Sequence, residues 1–209
     1  MRKARNADRC PDCGFRRELC ICARLPSIST SARLVIIQHS LDAIKPSNTA
    51  NLVARMTGCE RIRYGGDRDE VADAGLVASL SPVVLYPAAS SSVLSREFWE
   101  ELGRPPIVIL DGTWRQAARE ASRLSRAGCS RFARLPDGFR GNYRLRKSGF
   151  EDRLCTAEAV AALFRVLGED SNADALERGL GLFIEKNLLI RGRLGKIGSD
   201  GGPGKGLFV

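Results

Sequence analysis

Pro105-Pro-Ile-Val-Ile-Leu-Asp-Gly-Thr-Trp-Arg-Gln-Ala-Ala-Arg-Glu120 is the stretch around which the chain is organised. Ile107 to Leu110 form a short unbroken apolar run, which suits a strand buried on both faces of a parallel sheet. Asp111 stands where that strand ends. Gly112 is read as the point where the backbone turns sharply. Thr113 is a good helix N-cap, and Arg115 to Arg126 is rich in helix formers. The stretch therefore reads strand, acidic turn, helix. In open α/β sheets ligands bind at the carboxyl ends of the strands, so Asp111 to Trp114 is the first candidate for a site. A charged Asp directly after an apolar strand needs a partner, because an unpaired buried carboxylate is costly.

The 209 residues suffice for one full core with a small appended module. No apolar run is long enough for a transmembrane helix, and no apolar core follows the basic N-terminus, so neither a membrane span nor a signal peptide is expected. The formal net charge is +9, from 33 basic and 24 acidic residues. Between Gly112 and Arg153 there are 11 Arg or Lys against 4 Asp or Glu. A basic block beside a proposed site points to a polyanion, nucleic acid above all; a solvated basic face is the plainer reading. Seven Cys, an odd number with four close together, argue against a secreted disulfide framework and for a reducing compartment, the cytoplasm.

Those four are Cys10-Pro-Asp-Cys13 and Cys20-Ile-Cys22. Two close thiol pairs joined by a short loop can surround one tetrahedral Zn²⁺ through four sulfurs, leaving no open position for catalysis. An iron–sulfur cluster and free thiols are the alternatives.

Further strands are expected at Arg33–Gln38, Arg61–Tyr64, Pro82–Pro87 and Cys129–Leu135. Helices are expected after Ser47 as N-cap, over Val71–Leu80, Ser92–Leu102 and Arg115–Arg126, from Leu154 with Thr156 as cap, and over Ala173–Ile190. His39, the only His, follows the first strand. It is read as a hydrogen-bonded structural residue, since the sequence places no carboxylate to orient it as a base. Lys45-Pro-Ser-Asn-Thr49 opens a helix whose N-terminus can hold an anionic or polar group. Gly192 to Val209 is Gly-rich and aperiodic, a flexible tail. Strands alternating with helices indicate a parallel sheet with helices on both faces. There is no GxGxxG and no Walker A sequence, so no standard dinucleotide or NTP site is indicated.

Together these motifs resemble the DTW-domain family of tRNA-uridine aminocarboxypropyltransferases. The resemblance runs from Cys10 to Ile190. It rests on the Cys pairs, Lys45-Pro-Ser-Asn-Thr49, Leu85-Tyr-Pro87, Leu110-Asp-Gly-Thr-Trp114, Tyr143-Arg-Leu-Arg146 and Cys155-Thr-Ala-Glu158. Ala50, where many relatives have Gly, and the basic approach to the Arg pair are departures. The resemblance implies a SPOUT-like α/β domain over residues 31–191, with a trefoil knot in its C-terminal half. It would follow a zinc-binding module over residues 1–30 and precede a tail over residues 192–209. It implies transfer of the 3-amino-3-carboxypropyl group of S-adenosylmethionine to N3 of a tRNA uridine, with release of 5′-methylthioadenosine. Asp111, Thr113 and Trp114 are then the catalytic candidates. Cofactor contacts would come from Leu85, Tyr86, Pro87, Leu110, Asp111, Gly112, Leu135, Tyr143, Arg144, Leu145, Arg146, Leu154, Cys155, Thr156 and Glu158. Lys45, Ser47, Asn48, Thr49 and the stripe Arg115, Arg119, Arg123, Arg126 would face tRNA. Cys10, Cys13, Cys20 and Cys22 would hold structural zinc.

Several roles stay open at this point. Asp111 can accept the N3 proton or pair with the cofactor ammonium. Trp114 can stack on adenine or uracil. Arg144 and Arg146 can clamp the cofactor carboxylate or a phosphate. Two rival readings are a SPOUT-type RNA methyltransferase and a non-enzymatic zinc-ribbon RNA-binding protein. The second has no use for Asp111 at a strand end. No protein partner is implied.

Overall fold

The computed structural model describes residues 8–65, 74–143, 145 and 154–192. Six parallel strands form one sheet in the order β2-β1-β5-β3-β6-β4. They are β1 (Leu34–His39), β2 (Glu60–Tyr64), β3 (Val83–Leu85), β4 (Ser92–Val93), β5 (Ile107–Asp111) and β6 (Phe132–Arg134). The apolar run 107–110 lies in the middle of the sheet, hydrogen-bonded to β1 on one side and β3 on the other.

Pleating divides the buried side chains between two faces. Leu34, Ile36, Val83, Ile107, Ile109 and Ala133 face one layer. Val35, Ile37, Val84 and Val108 face the other. The first layer contains α2 (Thr49–Thr57), α6 (Thr156–Val166) and α7 (Asp170–Ile190), which pack on one another. The second contains α3 (Ala74–Ser79) and α5 (Trp114–Arg126). Helices thus cover both faces, as expected for an all-parallel sheet. Two short helices complete the set, α1 (Ser40–Ala43) after β1 and α4 (Arg96–Glu101) before β5.

The N-terminal segment is not a detached appendage. Cys13, Phe15, Ile21 and Leu25 belong to the same buried cluster as Leu52, Met56 and Phe183. The Phe15 and Phe183 rings lie 5.3 Å apart. Ile28 N–H donates to the Met56 carbonyl at 2.7 Å. Among the described residues, no helix is long and apolar enough to cross a membrane.

Several local expectations are corrected. The N-cap of α2 is Asn48, not Ser47: the Asn48 amide oxygen accepts from the backbone N–H of Ala50 and Asn51. Cys155, not Thr156, precedes α6, and Glu158 closes the turn by accepting from the Cys155 N–H. The span 92–102 is not one helix: Ser92–Val93 pair with β6 at the sheet edge, and Ser95 caps α4. That short strand makes Phe132–Arg134 the sixth strand. Only Ala74–Ser79 of the expected 71–80 helix is described as helical, and residues 71–73, like residues 193–209, lie outside the described residues. Gly112 does not have a positive φ. It is needed for proximity: a Cβ there would meet the Gln116 side chain at 3.1–3.2 Å, and Gln116 folds back to complete the capping box with Thr113.

Phe183 is fully buried between α7 and the N-terminal segment. Phe183→Ala is expected to lower unfolding free energy by about 3–5 kcal/mol through lost burial and the cavity left behind. Denaturant titration checks this, with the midpoint moving and the slope unchanged.

Candidate active site at the carboxyl edge of the sheet

The parallel register sets Gln38 of β1 beside Asp111 of β5. Both lie on the face that carries α2 and α6, so the two side chains reach the N-termini of those helices. Asp111 is 3% exposed. Its Oδ2 accepts from Asn48 Nδ2 at 2.7 Å and from Gln38 Nε2 at 3.4 Å. Its Oδ1 accepts from Thr156 Oγ1 at 2.5 Å. The positive ends of two helix dipoles converge on the same carboxylate. The partner that a buried Asp requires is therefore a set of three neutral donors from three different elements.

The network extends away from the edge. Gln38 Nε2 also donates to Asn48 Oδ1 at 3.1 Å and Asn51 Oδ1 at 3.2 Å. Arg61 Nη1 donates to Asn51 Oδ1 at 2.9 Å, and Asn51 Nδ2 to the Ala43 carbonyl at 2.9 Å. A row of polar side chains thus links β2 to the α6 N-terminus through an otherwise apolar layer.

Beside Asp111, the ends of β3, β5 and β6 and the starts of α5 and α6 enclose a cavity of about 280 Å³. It is lined by Leu85, Tyr86, Pro87, Leu110, Gly112, Trp114, Leu135, Leu154, Cys155 and Thr156, together with Ile109, Ala117, Ala159, Arg134 and Asp137. Trp114 is 46% exposed, and its ring centroid lies 6.5 Å from that of Tyr86. Thr156 is the residue shared by the cavity lining and the Asp111 network. Asp111 itself touches the cavity only through that hydroxyl and its chain neighbours. Burial pushes the Cys155 thiol up to about 12, so it lines the cavity as a neutral group.

The remaining candidates divide into groups. Thr113 is exposed and caps α5. Tyr143 OH donates to the Ser47 carbonyl at 2.5 Å, and Leu145 is buried with its carbonyl accepting from Arg191. Glu158 ties the loop at Asn142 to α6. Thr49 is 2% exposed and its hydroxyl accepts from Ala157 N–H, which removes it from any surface. Lys45 is paired with Asp42 and remains largely exposed. Arg115, Arg119 and Arg126 are exposed along α5, but Arg123 turns toward Glu120 at 3.6 Å. Arg144 and Arg146 lie outside the described residues. His39 Nδ1 accepts from Leu41 N–H and its ring packs edge-on against Tyr64, the structural role expected of it.

Arg134 and Asp137 were not anticipated. They form a 2.9 Å ion pair on the cavity lining. The only signal was their position three residues apart across the expected strand end.

Beneath the basic α5 surface this edge is acidic. Burial raises the Tyr64 hydroxyl, and Glu120, Asp111 and Asp42 raise it further. Glu120 is 3% exposed, and its Oε1 has no hydrogen-bond partner among the described residues.

The four N-terminal sulfurs all lie within 4.8 Å of one another. Cys10 and Cys22 Sγ are 3.7 Å apart, as are Cys13 and Cys20 Sγ. A metal with bonds of about 2.3 Å to four tetrahedral sulfurs needs sulfur–sulfur edges of about 3.8 Å. The donors therefore fit a tetrahedral ion, whereas a disulfide needs about 2 Å. Burial opposes ionisation of Cys10, but hydrogen bonds from the backbone of Cys13 and Asp12 and from the Cys20 and Cys22 side chains together outweigh it and hold the thiol at about 7. Burial raises Cys13 and Cys22.

Burial also raises the Glu120 carboxyl above its ordinary value of 4.5, despite Arg123. With the folded value above the unfolded one, the folded chain holds the extra proton. The contribution to stability is complete below the ordinary value and is lost as pH rises through the raised one. Glu120→Gln is expected to raise the midpoint of thermal unfolding at pH 7 by a few degrees, where about 1 kcal/mol corresponds to 2–4 °C. The gain should vanish near pH 4, as a calorimetric pH series will show.

The DTW domain family model matches residues 7–188. The chain is 26% identical over 178 residues to tRNA-uridine aminocarboxypropyltransferase 2 of Mus musculus, a match covering 79% of this chain and 59% of that protein. It is 24% identical over 177 residues to the protein of the same name from Macaca fascicularis, covering 80% and 59%. The match thus spans about three-fifths of the length of these relatives. With the family model matched over most of its length, the chain belongs to the DTW-domain family.

Proposed function

We propose that this protein is a tRNA-modifying transferase that moves the 3-amino-3-carboxypropyl group of S-adenosylmethionine to N3 of a tRNA uridine. Family membership and the names of the mouse and macaque relatives support the reaction class. The observation that carries the reading is the cavity at the strand ends, where Thr156 joins the lining to the buried Asp111 carboxylate.

The cavity suits the donor. Leu85, Leu110, Leu135 and Leu154 supply apolar walls, and Tyr86 and Trp114 are the residues that would hold a flat base. Arg134 and Asp137 present opposite charges to an amino acid group, which is itself a zwitterion. Arg144 and Arg146 are further candidates for the carboxylate. When bound, S-adenosylmethionine supplies a sulfonium whose carbon–sulfur bond breaks as the uridine nitrogen takes the aminocarboxypropyl carbon, with sulfur leaving as the neutral thioether of 5′-methylthioadenosine. The chain orients the reactants and removes a proton. The N3 proton passes to Thr156 Oγ1 as that hydroxyl gives its own proton to Asp111 Oδ1. Thr113 and the α5 N-terminus stand beside the reacting edge, and Arg115, Arg119 and Arg126, with Lys45 and Ser47, face the tRNA backbone.

The same reading includes a SPOUT-like knotted topology for residues 31–191. Its support is the convergence of the loops after β3, β5 and β6 on a single cavity. It also takes residues 1–30 as a zinc module and places the protein in the cytoplasm, where cysteines outside disulfides persist.

Incubation of a tRNA pool with protein and S-adenosylmethionine, followed by nucleoside mass spectrometry, is expected to yield aminocarboxypropyluridine and methylthioadenosine. S-adenosylhomocysteine would instead establish a methyltransferase. Absence of any affinity for S-adenosylmethionine would leave an RNA-binding protein. Asp111→Asn is expected to lower the single-turnover rate about 10²–10⁴-fold while calorimetric affinity for S-adenosylmethionine stays near normal. A comparable loss of affinity would assign Asp111 to the ammonium. Elemental analysis of reduced protein is expected to find about one zinc per chain. Cys10→Ser should lower thermal stability more than cofactor affinity, and metal-free protein from a fresh preparation would refute the module.

A further inference from the structure

A second cleft, of about 510 Å³, lies between the Cys segment, the loop before α2 and the C-terminal end of α7. It falls within the range of roughly 300–1,000 Å³ typical of small-molecule sites. One wall is apolar: Phe15, Leu19, Pro46 and Ile190. Phe15, 1% exposed and in contact with Phe183, forms the buried floor of that wall, while Ile190 is 49% exposed. The rim carries Arg9, Arg16 and Arg191 against a single carboxylate, Glu18. Arg9 and Arg16 meet across a local bridge, and the fold brings Arg191 to them from the end of α7.

Each guanidinium has five N–H donors in a planar fork. The described contacts use one apiece: Arg9 Nη1 to the Gly14 carbonyl at 2.9 Å, Arg191 Nη1 to the Leu145 carbonyl at 3.3 Å, and Arg16 Nη1 beside Glu18 at 3.7 Å across an exposed pair. These bonds orient the forks and leave donors for an anion. An apolar wall under converging guanidinium groups matches a nucleotide: a flat base with a phosphate attached.

The cleft is tied mechanically to the first site. Pro46 lines it, and the Pro46 carbonyl accepts from Asn187 Nδ2 at 3.4 Å. Two residues on, Asn48 donates to Asp111. Two residues of chain span at most about 7 Å, so the loop brings the cleft within a few nucleotides of the reacting edge.

We infer that this cleft holds a second, non-reacting nucleotide of the RNA substrate, with its phosphate on Arg16 and Arg191 and its base against Pro46 and Ile190. The inference rests on tRNA being the substrate. The test is tRNA binding by full-length, zinc-loaded protein over a salt series, comparing wild type, Arg16→Ala/Arg191→Ala and Ile190→Ser. Both arginines are exposed, so the fold should tolerate their loss. The double variant is expected to bind tRNA about 10-fold more weakly at low salt, in line with a lost charged contact. Its salt slope should fall by about 0.7, the value for one phosphate on a single strand. Ile190→Ser should weaken binding with the slope unchanged, and S-adenosylmethionine affinity should be that of wild type in both. Wild-type tRNA binding and slope in the double variant would overturn the cleft assignment while leaving the transferase reading intact. A wild-type protein that binds no tRNA would overturn both.

Discussion

A carboxylate buried at the end of the central strand constrains everything around it. A lone charge in so dry a place would cost several kcal/mol, and among the described residues no cation pairs with Asp111 to offset it. Compensation comes from neutral donors, each on a different element. β1 contributes Gln38, the cap of α2 contributes Asn48, and the first turn of α6 contributes Thr156. Two helices must therefore begin at the same point in space. That requirement sets the positions of α2 and α6 in their layer, and the cavity forms along the side of the junction.

The same arrangement separates two electrostatic zones. Asp42, Asp111 and Glu120 make the interior of this edge acidic, and Tyr64 senses all three. Arg115, Arg119 and Arg126 keep the outer surface of α5 basic. A basic outer surface of this kind would attract a polyanion over a distance.

Local features of this molecule were legible in the sequence. The run Ile107 to Leu110 suited a buried strand, and Thr113 before a run of helix formers suited a helix N-cap, because both depend on nearest neighbours. The cluster of four thiols at Cys10, Cys13, Cys20 and Cys22 was legible for the same reason. Features arising from register were not. Nothing in Arg33–His39 alone indicates that Gln38 will lie beside Asp111, since a one-residue slip would send it to the opposite face. Asn48 and Ser47 are both good caps, and the choice was made by what lay across from them. The Arg134–Asp137 pair and the cleft rimmed by Arg9, Arg16 and Arg191 join residues whose proximity only the tertiary structure creates. The proposed stripe on α5 was correct as a helical face, yet Arg123 was claimed by Glu120, a residue whose burial the sequence did not disclose.

The strand order has a kinetic consequence. β5 lies between β1 and β3, yet it follows both in the chain: Leu34 pairs with Ile107, and Val83 also pairs with Ile107. During synthesis β1 and β2 can pair early, but β3 has no partner until β5 emerges, and β6 must then find β3. Such non-local pairing folds slowly, since loop-closure entropy is spent before the contacts form. In that interval Val83, Val84 and the inner edge of β1 are unpaired apolar strands, open to association with other chains. Thr156 arrives later still, so the Asp111 carboxylate is fully compensated only after the whole sheet is built. The candidate site is thus completed only after the sheet, and a chain interrupted before α6 would carry every strand without the Thr156 contact to Asp111.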